Sequence, residues 1–196
     1  MNELRMLKRH FYHSILLATA LVFGACGDTI DEFSHHPCRV VIDNSLHLDA
    51  TLASAMNNLS PGVFCIIRET NEKGVDYWTF SNNQNLSSKV KMSAIDLRQT
   101  RIIGLNNGVI VGFGNLDNPA VFYSYDRECP NCFDHEAVPI KSKPLSIDEK
   151  GWAKCNVCKR VYNLNNRGYI IEGEQGQPLT RYRGSTTGTF GVLSVY

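Results

Sequence analysis

Val121-Phe122-Tyr123-Ser124-Tyr125-Asp126-Arg127-Glu128-Cys129-Pro130-Asn131-Cys132 begins as a strand and ends as a metal-binding turn. Val121 to Tyr125 is an apolar and aromatic run of strand length. Cys129-Pro130-Asn131-Cys132 then sets two thiols three residues apart, so both sulfurs can face one point while intervening backbone amides donate to them. A second knuckle, Cys155-Asn156-Val157-Cys158, follows beyond residues 133–154. Two matched CxxC pairs predict one tetrahedral metal site formed by Cys129, Cys132, Cys155 and Cys158. Four thiolates around a divalent ion leave net negative charge, and Arg127, Lys154, Lys159 and Arg160 flank the knuckles to offset it. His135 lies near the first knuckle; with four cysteines closing the shell it reads as a solvated loop histidine. The same cysteines also permit two small CxxC disulfides or a redox-active dithiol, but a bound ion keeps all four sulfurs deprotonated and shielded.

Outward from this stretch, short apolar runs recur between turn signals, the pattern of an all-β domain of mainly antiparallel strands. The upstream strands are expected at Cys38 to Ile42, Val63 to Arg68, Tyr77 to Ser81 and Val90 to Ser93. Downstream they are expected at Trp152 to Lys154, Arg160 to Leu164, Tyr169 to Glu172, Leu179 to Arg183 and Phe190 to Tyr196. One short helix is expected over Asp49 to Leu59, where Leu52, Met56 and Leu59 fall at helical spacing and Ser60-Pro61-Gly62 supplies a stop. Asn107-Gly108, between two apolar runs, predicts a β-hairpin over Arg101 to Asn115 because that dipeptide tolerates positive φ.

The N-terminus reads as an address. Arg5, Lys8 and Arg9 precede the apolar run Ile15 to Phe23, and Gly24-Ala25-Cys26 follows as a small-residue cleavage site. The run is shorter than the ~20 residues a spanning helix needs. A cysteine directly after two small residues resembles a bacterial lipobox, which implies lipidation of Cys26 and a bacterial cell-envelope protein held to a membrane by its lipid. The expected organisation is a signal peptide at 1–25, a lipidated tether at 26–36 and a folded domain at 37–196, with a metal-binding subdomain at 127–162. Of seven cysteines, one takes the lipid and four the metal. Cys38 and Cys65 remain, either as a disulfide or as two buried thiols packed as small hydrophobes. The chain of 196 residues has a formal net charge of +1, and no basic stripe suited to a phosphate backbone, so nucleic acid is not an expected partner.

From Ala120 to Tyr182 the chain resembles the Rieske domain family. The strand into Cys129-Pro130 is similar to the approach to that family's first C-x-H box, and Cys155-Asn156-Val157-Cys158 stands where its C-x-x-H box would be. Val161-Tyr162-Asn163 resembles its aromatic-Asp pair, and Gly168, Gly173, Pro178, Leu179 and Tyr182 fall at similar spacings to its later glycines, Pro-Leu and terminal Tyr. The resemblance implies a β-sandwich carrying a small subdomain like a rubredoxin or zinc ribbon. Asn131 and Cys158 replace the two histidines, so the ligation that gives Rieske centres their high potential is lost. Zinc is then the first expectation for four thiolates, with a single iron or an all-cysteine [2Fe-2S] cluster as alternatives.

No Ser/His/Asp set or paired-carboxylate box is evident, and a closed four-thiolate shell offers no open position to a substrate. The chain therefore reads as a non-enzymatic lipoprotein with a structural metal and a protein or small-molecule partner. The alternatives are an iron-containing electron-transfer protein and a CxxC thiol–disulfide protein. Tyr77, Trp78 and Tyr123 are read as strand-packing residues rather than a binding face.

Overall fold

Phe64-Cys65-Ile66-Ile67 is apolar at every position, as befits a strand buried on both faces. The computed structural model describes residues 31–196, and places this run in the middle strand of the largest sheet. In chain order, the elements are β1 (Val40–Asp43), α1 (Asn44–His47), α2 (Ala50–Ala55), β2 (Phe64–Glu72), β3 (Val75–Asn82), β4 (Ser87–Lys91), α3 (Ala94–Arg98), β5 (Val109–Phe113), β6 (Phe122–Asp126), β7 (Ser146–Ile147), β8 (Trp152–Lys154), β9 (Val161–Asn163), β10 (Tyr169–Glu172), β11 (Gly184–Thr186) and β12 (Val192–Val195). The expected signal peptide and the expected lipidation site Cys26 lie outside the described residues.

Three antiparallel sheets are formed, ordered β4-β3-β2-β5-β6, β1-β12-β11 and β10-β9-β8-β7. The expected all-β class holds. Successive side chains of a strand point to opposite faces, and the first sheet uses both. Cys65, Ile67, Val109 and Val111 enter a core with Val40, Ile42, Leu52, Met56, Trp78, Phe80, Leu193 and Val195. Phe64, Ile66 and Ile110 enter a second core with Tyr123, Tyr125, Ala153, Tyr162, Leu164 and the thiols of Cys129 and Cys155, two of the expected metal ligands. The five-stranded sheet is thus the central layer between an aliphatic core and a smaller aromatic one.

Several expectations are corrected. Residues 101–115 make no hairpin: β5 pairs with β2 and β6, while Ile102 bridges to Arg39. Asn107 does take a positive φ of 52°, but its side chain behaves like a strand residue. Its Oδ1 accepts from the Glu69 N–H at 2.9 Å and its Nδ2 donates to the Glu69 carbonyl at 2.8 Å, which extends the β2–β5 ladder and occupies β2 as the partner. There are three short helices among the described residues where one was expected. The expected helix is Ala50–Ala55, capped by Asp49, whose Oδ1 accepts from the Leu52 N–H at 2.8 Å. It ends at Met56 because Asn57 Oδ1 captures the Leu59 amide, leaving Leu59 86% exposed. Leu179 to Arg183 makes only a bridge between Tyr125 and Arg181, flanked by the Thr180 carbonyl and the Tyr182 amide bonded to β6.

The compact unit begins at Phe33, inside the expected tether, because the guanidiniums of Arg181 and Arg183 stack on its ring at 5.1 and 4.7 Å. Cys38 and Cys65 are both buried free thiols, so the disulfide reading fails. Each is packed among aliphatic side chains of the first core. Burial pushes the Cys38 thiol up to about 11 and that of Cys65 higher still, so both act as small neutral hydrophobes.

Candidate metal centre

Both knuckles sit where a strand gives out. The first follows β6 directly: the Cys129 amide donates to the Lys143 carbonyl at 3.0 Å, and the Cys129 carbonyl accepts from Cys132 and Phe133 at 3.1 and 2.9 Å. The second is the tip of the β8–β9 hairpin, closed by the Cys155 amide bonding to the Arg160 carbonyl at 3.0 Å and by Lys159 at φ 63°. Backbone amides also turn toward the sulfurs, Asn131 to Cys129 and Arg160 to Cys158, as the spacing predicts.

These turns bring the four expected ligands together. The sulfurs of Cys129 and Cys158 are 3.7 Å apart, those of Cys132 and Cys155 3.9 Å, and all four lie within 4.8 Å of one another. None is in a disulfide. With metal–sulfur bonds of about 2.3 Å, a regular tetrahedron has sulfur–sulfur edges of about 3.8 Å. The arrangement can therefore hold one metal ion.

Cys129 and Cys155 are buried in the second core, while Cys132 and Cys158 are half-buried at its rim. Burial raises the Cys129 thiol well above its ordinary value and that of Cys132 to about 11. At Cys158 burial acts in the same direction, but the amide and guanidinium of Arg160, with Cys132 and Cys155 alongside, outweigh it and hold the thiol down at about 6. A pocket that holds the Cys129 and Cys132 thiols neutral while favouring the Cys158 thiolate is suited to a cation that allows buried sulfurs to ionise.

Tyr162 supports the cluster in a way the sequence did not announce. Asn131 Nδ2 donates to its hydroxyl oxygen at 2.9 Å, which leaves the phenol hydrogen for the Cys129 sulfur at 3.3 Å. Asn131 also pairs with the backbone of Gln177, donating to its carbonyl at 2.8 Å and accepting from its amide at 2.9 Å. The aromatic at position 162 was the available signal, but only the fold places it over a sulfur.

Of the four cations expected to offset the site's charge, Arg160 does so. Lys154 pairs with Asp148 at 2.9 Å, Lys159 donates to the Asn156 carbonyl at 2.6 Å, and Arg127 turns to a different cavity. His135 stands outside the ligand group, exposed beside Glu136 and edge-on to His36. Trp78 is buried in the first core as expected, and no described helix is long and apolar enough to cross a membrane. No protein-family profile matches this chain, and no curated protein or solved structure matches it.

Proposed function

We propose that Cys129, Cys132, Cys155 and Cys158 hold a single structural zinc ion, in a cell-envelope lipoprotein that is anchored through Cys26 and acts by binding a partner rather than by catalysis. The observation that carries the metal reading is the group of four unoxidised sulfurs with 3.7 and 3.9 Å separations. Zinc suits four thiolates, needs no redox chemistry and supplies folding free energy to a small layer with little core of its own. The tightness of the group favours one ion over a two-iron cluster, and sulfurs that face one another argue against an exposed CxxC oxidoreductase. We also read the domain as a Rieske relative in which cysteines replaced both histidines. What supports this is the pair of opposed knuckles, with Asn131 turned to Tyr162 and Gln177 and Cys132 taking the ligand place.

Elemental analysis and a visible spectrum of protein purified without a metal-affinity step test the centre. A colourless protein with a single equivalent of zinc is expected. A coloured one containing iron would move the function to electron transfer, and absence of both metals would end the proposal. Cys26→Ser is expected to shift the protein from the membrane to the soluble fraction, and unchanged membrane association would refute the anchor.

A further inference from the structure

The β4-β3-β2 side of the central sheet carries a second feature, independent of the metal. A cavity of about 470 Å³ opens there, lined on the sheet face by Arg68, Thr70, Thr79, Ser87, Lys89 and Arg127, with Ile66 at its floor. The register explains why three cations meet. Arg68 pairs with Thr79 and Thr79 with Lys89. Val109 pairs with both Ile67 and Asp126, so one step further Gly108 lies between Arg68 and Arg127; the Arg127 amide donates to the Gly108 carbonyl at 3.0 Å. Neighbouring strands are about 4.8 Å apart, so the row places Arg127 two strands from Arg68. Gly108 leaves the space through which the Arg127 stem passes, since a Cβ there would sit 2.8 Å from Arg127 Cβ and Cδ.

The charges in this row are unevenly satisfied. Lys89 is held by both oxygens of Glu72 at 2.7 and 2.8 Å. Among the described residues no carboxylate forms an ion pair with Arg68 or Arg127. Glu128, next to Arg127, instead accepts from Asn106, Ser142 and the Lys143 amide. Arg127 Nε and Thr70 Oγ1 are buried without a hydrogen-bond partner. Such groups are costly to leave unpaired, and two like charges on one sheet face repel.

We propose that this cavity binds a small ligand through an oxyanion group, phosphate, sulfate or carboxylate, gripped between the guanidiniums of Arg68 and Arg127 with the Thr70 hydroxyl donating. Guanidinium forks match such groups, and an anion here removes both the repulsion and the unpaired donors. The size of the cavity suits a small molecule rather than a peptide segment.

The test titrates inorganic phosphate, sulfate and citrate into the full-length protein at low ionic strength, following the Arg127 Nε–Hε resonance and the heat of binding. Saturable binding of at least one probe is expected, and preference for phosphate or for citrate identifies a phosphoryl or a carboxylate ligand. Arg68→Gln, at an exposed position that leaves the fold intact, is expected to weaken binding about tenfold or more, and Gly108→Ala, by displacing Arg127, to weaken it similarly. Arg98→Gln, exposed on α3 and outside the cavity lining, is expected to change nothing. Absence of saturable binding up to about 10 mM of every probe, or an Arg68→Gln variant that binds as well as the parent, would overturn the proposal.

Discussion

The two faces of the central sheet solve the same problem with different means. The first core is assembled from side chains of β1, α2, β2, β3, β5 and β12, with Trp78, Leu52, Val40 and Leu193 fully buried. The second shares β2 and β5 but is closed by strands of two to four residues, too short to bury much. Its far side is finished by four cysteines and by hydroxyl bonds such as Tyr125 to the Leu164 carbonyl at 2.8 Å. Hydrophobic burial stabilises in proportion to area, so the large face can rely on packing, whereas the small one needs a crosslink. The proposed metal ion would supply it.

Removing the proposed zinc ion gives the largest expected contrast. Structural zinc sites of this kind are worth on the order of 10 kcal/mol of apparent binding free energy, so Cys155→Ser, or a strong chelator, is expected to disorder β7–β10 while leaving the first core. The two tryptophans report separately, Trp78 from the first core and Trp152 from β8. Fluorine NMR of fluorotryptophan-labelled protein should show the Trp152 resonance collapse and the Trp78 resonance persist. If both change together, the cores are one cooperative unit and the contrast is broken.

The reverse perturbation is Leu193→Ala. It opens a cavity in the first core and is expected to cost about 2–5 kcal/mol in denaturant unfolding, with zinc content unchanged. Loss of zinc in that variant would mean that the metal layer depends on the packing beneath it. A finer probe is Tyr162→Phe, which deletes only the hydroxyl beside Cys129. Hydrogen bonds to ligand atoms tune metal sites, so zinc affinity measured by chelator competition should fall by about 10–100-fold with little effect on the Trp78 resonance.

The smallest effect is electrostatic and belongs to the first core's rim. His47 Nε2 meets Asp96 Oδ2 at 3.0 Å, tying α1 to α3, and Asp96 also accepts from the Ser93 amide and hydroxyl. Burial pushes the Asp96 carboxyl up, but the Ser93 bonds and the His47 charge outweigh it and hold the group below its ordinary 3.8. A lowered carboxyl stabilises the fold above that value and loses the contribution as pH falls below it. Asp96→Asn is therefore expected to be less stable than the parent near neutral pH, with the gap closing below 3.8, as read by thermal unfolding across an acid series. A gap independent of pH would assign the effect to lost hydrogen-bond geometry alone.

Much of the centre was legible because cysteine pairs at fixed spacing constrain geometry locally. The four ligands, and the amides turned on their sulfurs, come out as the spacing predicts. The Asn107-Gly108 hairpin misled because the same positive φ serves a side chain that pairs with a distant strand, and nothing near Asn107 names Glu69 as its partner. Gly184–Thr186 and Ser146–Ile147 escaped notice as strands because each is short and polar, held by its neighbours rather than by propensity.

The amino-acid sequence by itself determined the all-β class, most strand positions and the four thiols of the metal centre, since alternation and local spacing act over a few residues. Tertiary structure alone decided that Cys38 and Cys65 stay apart as thiols, that Tyr162 hydrogen-bonds Cys129, and that Arg68 and Arg127 share a face across Gly108. Those arrangements join residues far apart in the chain through strand register, and register is fixed by packing of whole sheets rather than by any local signal.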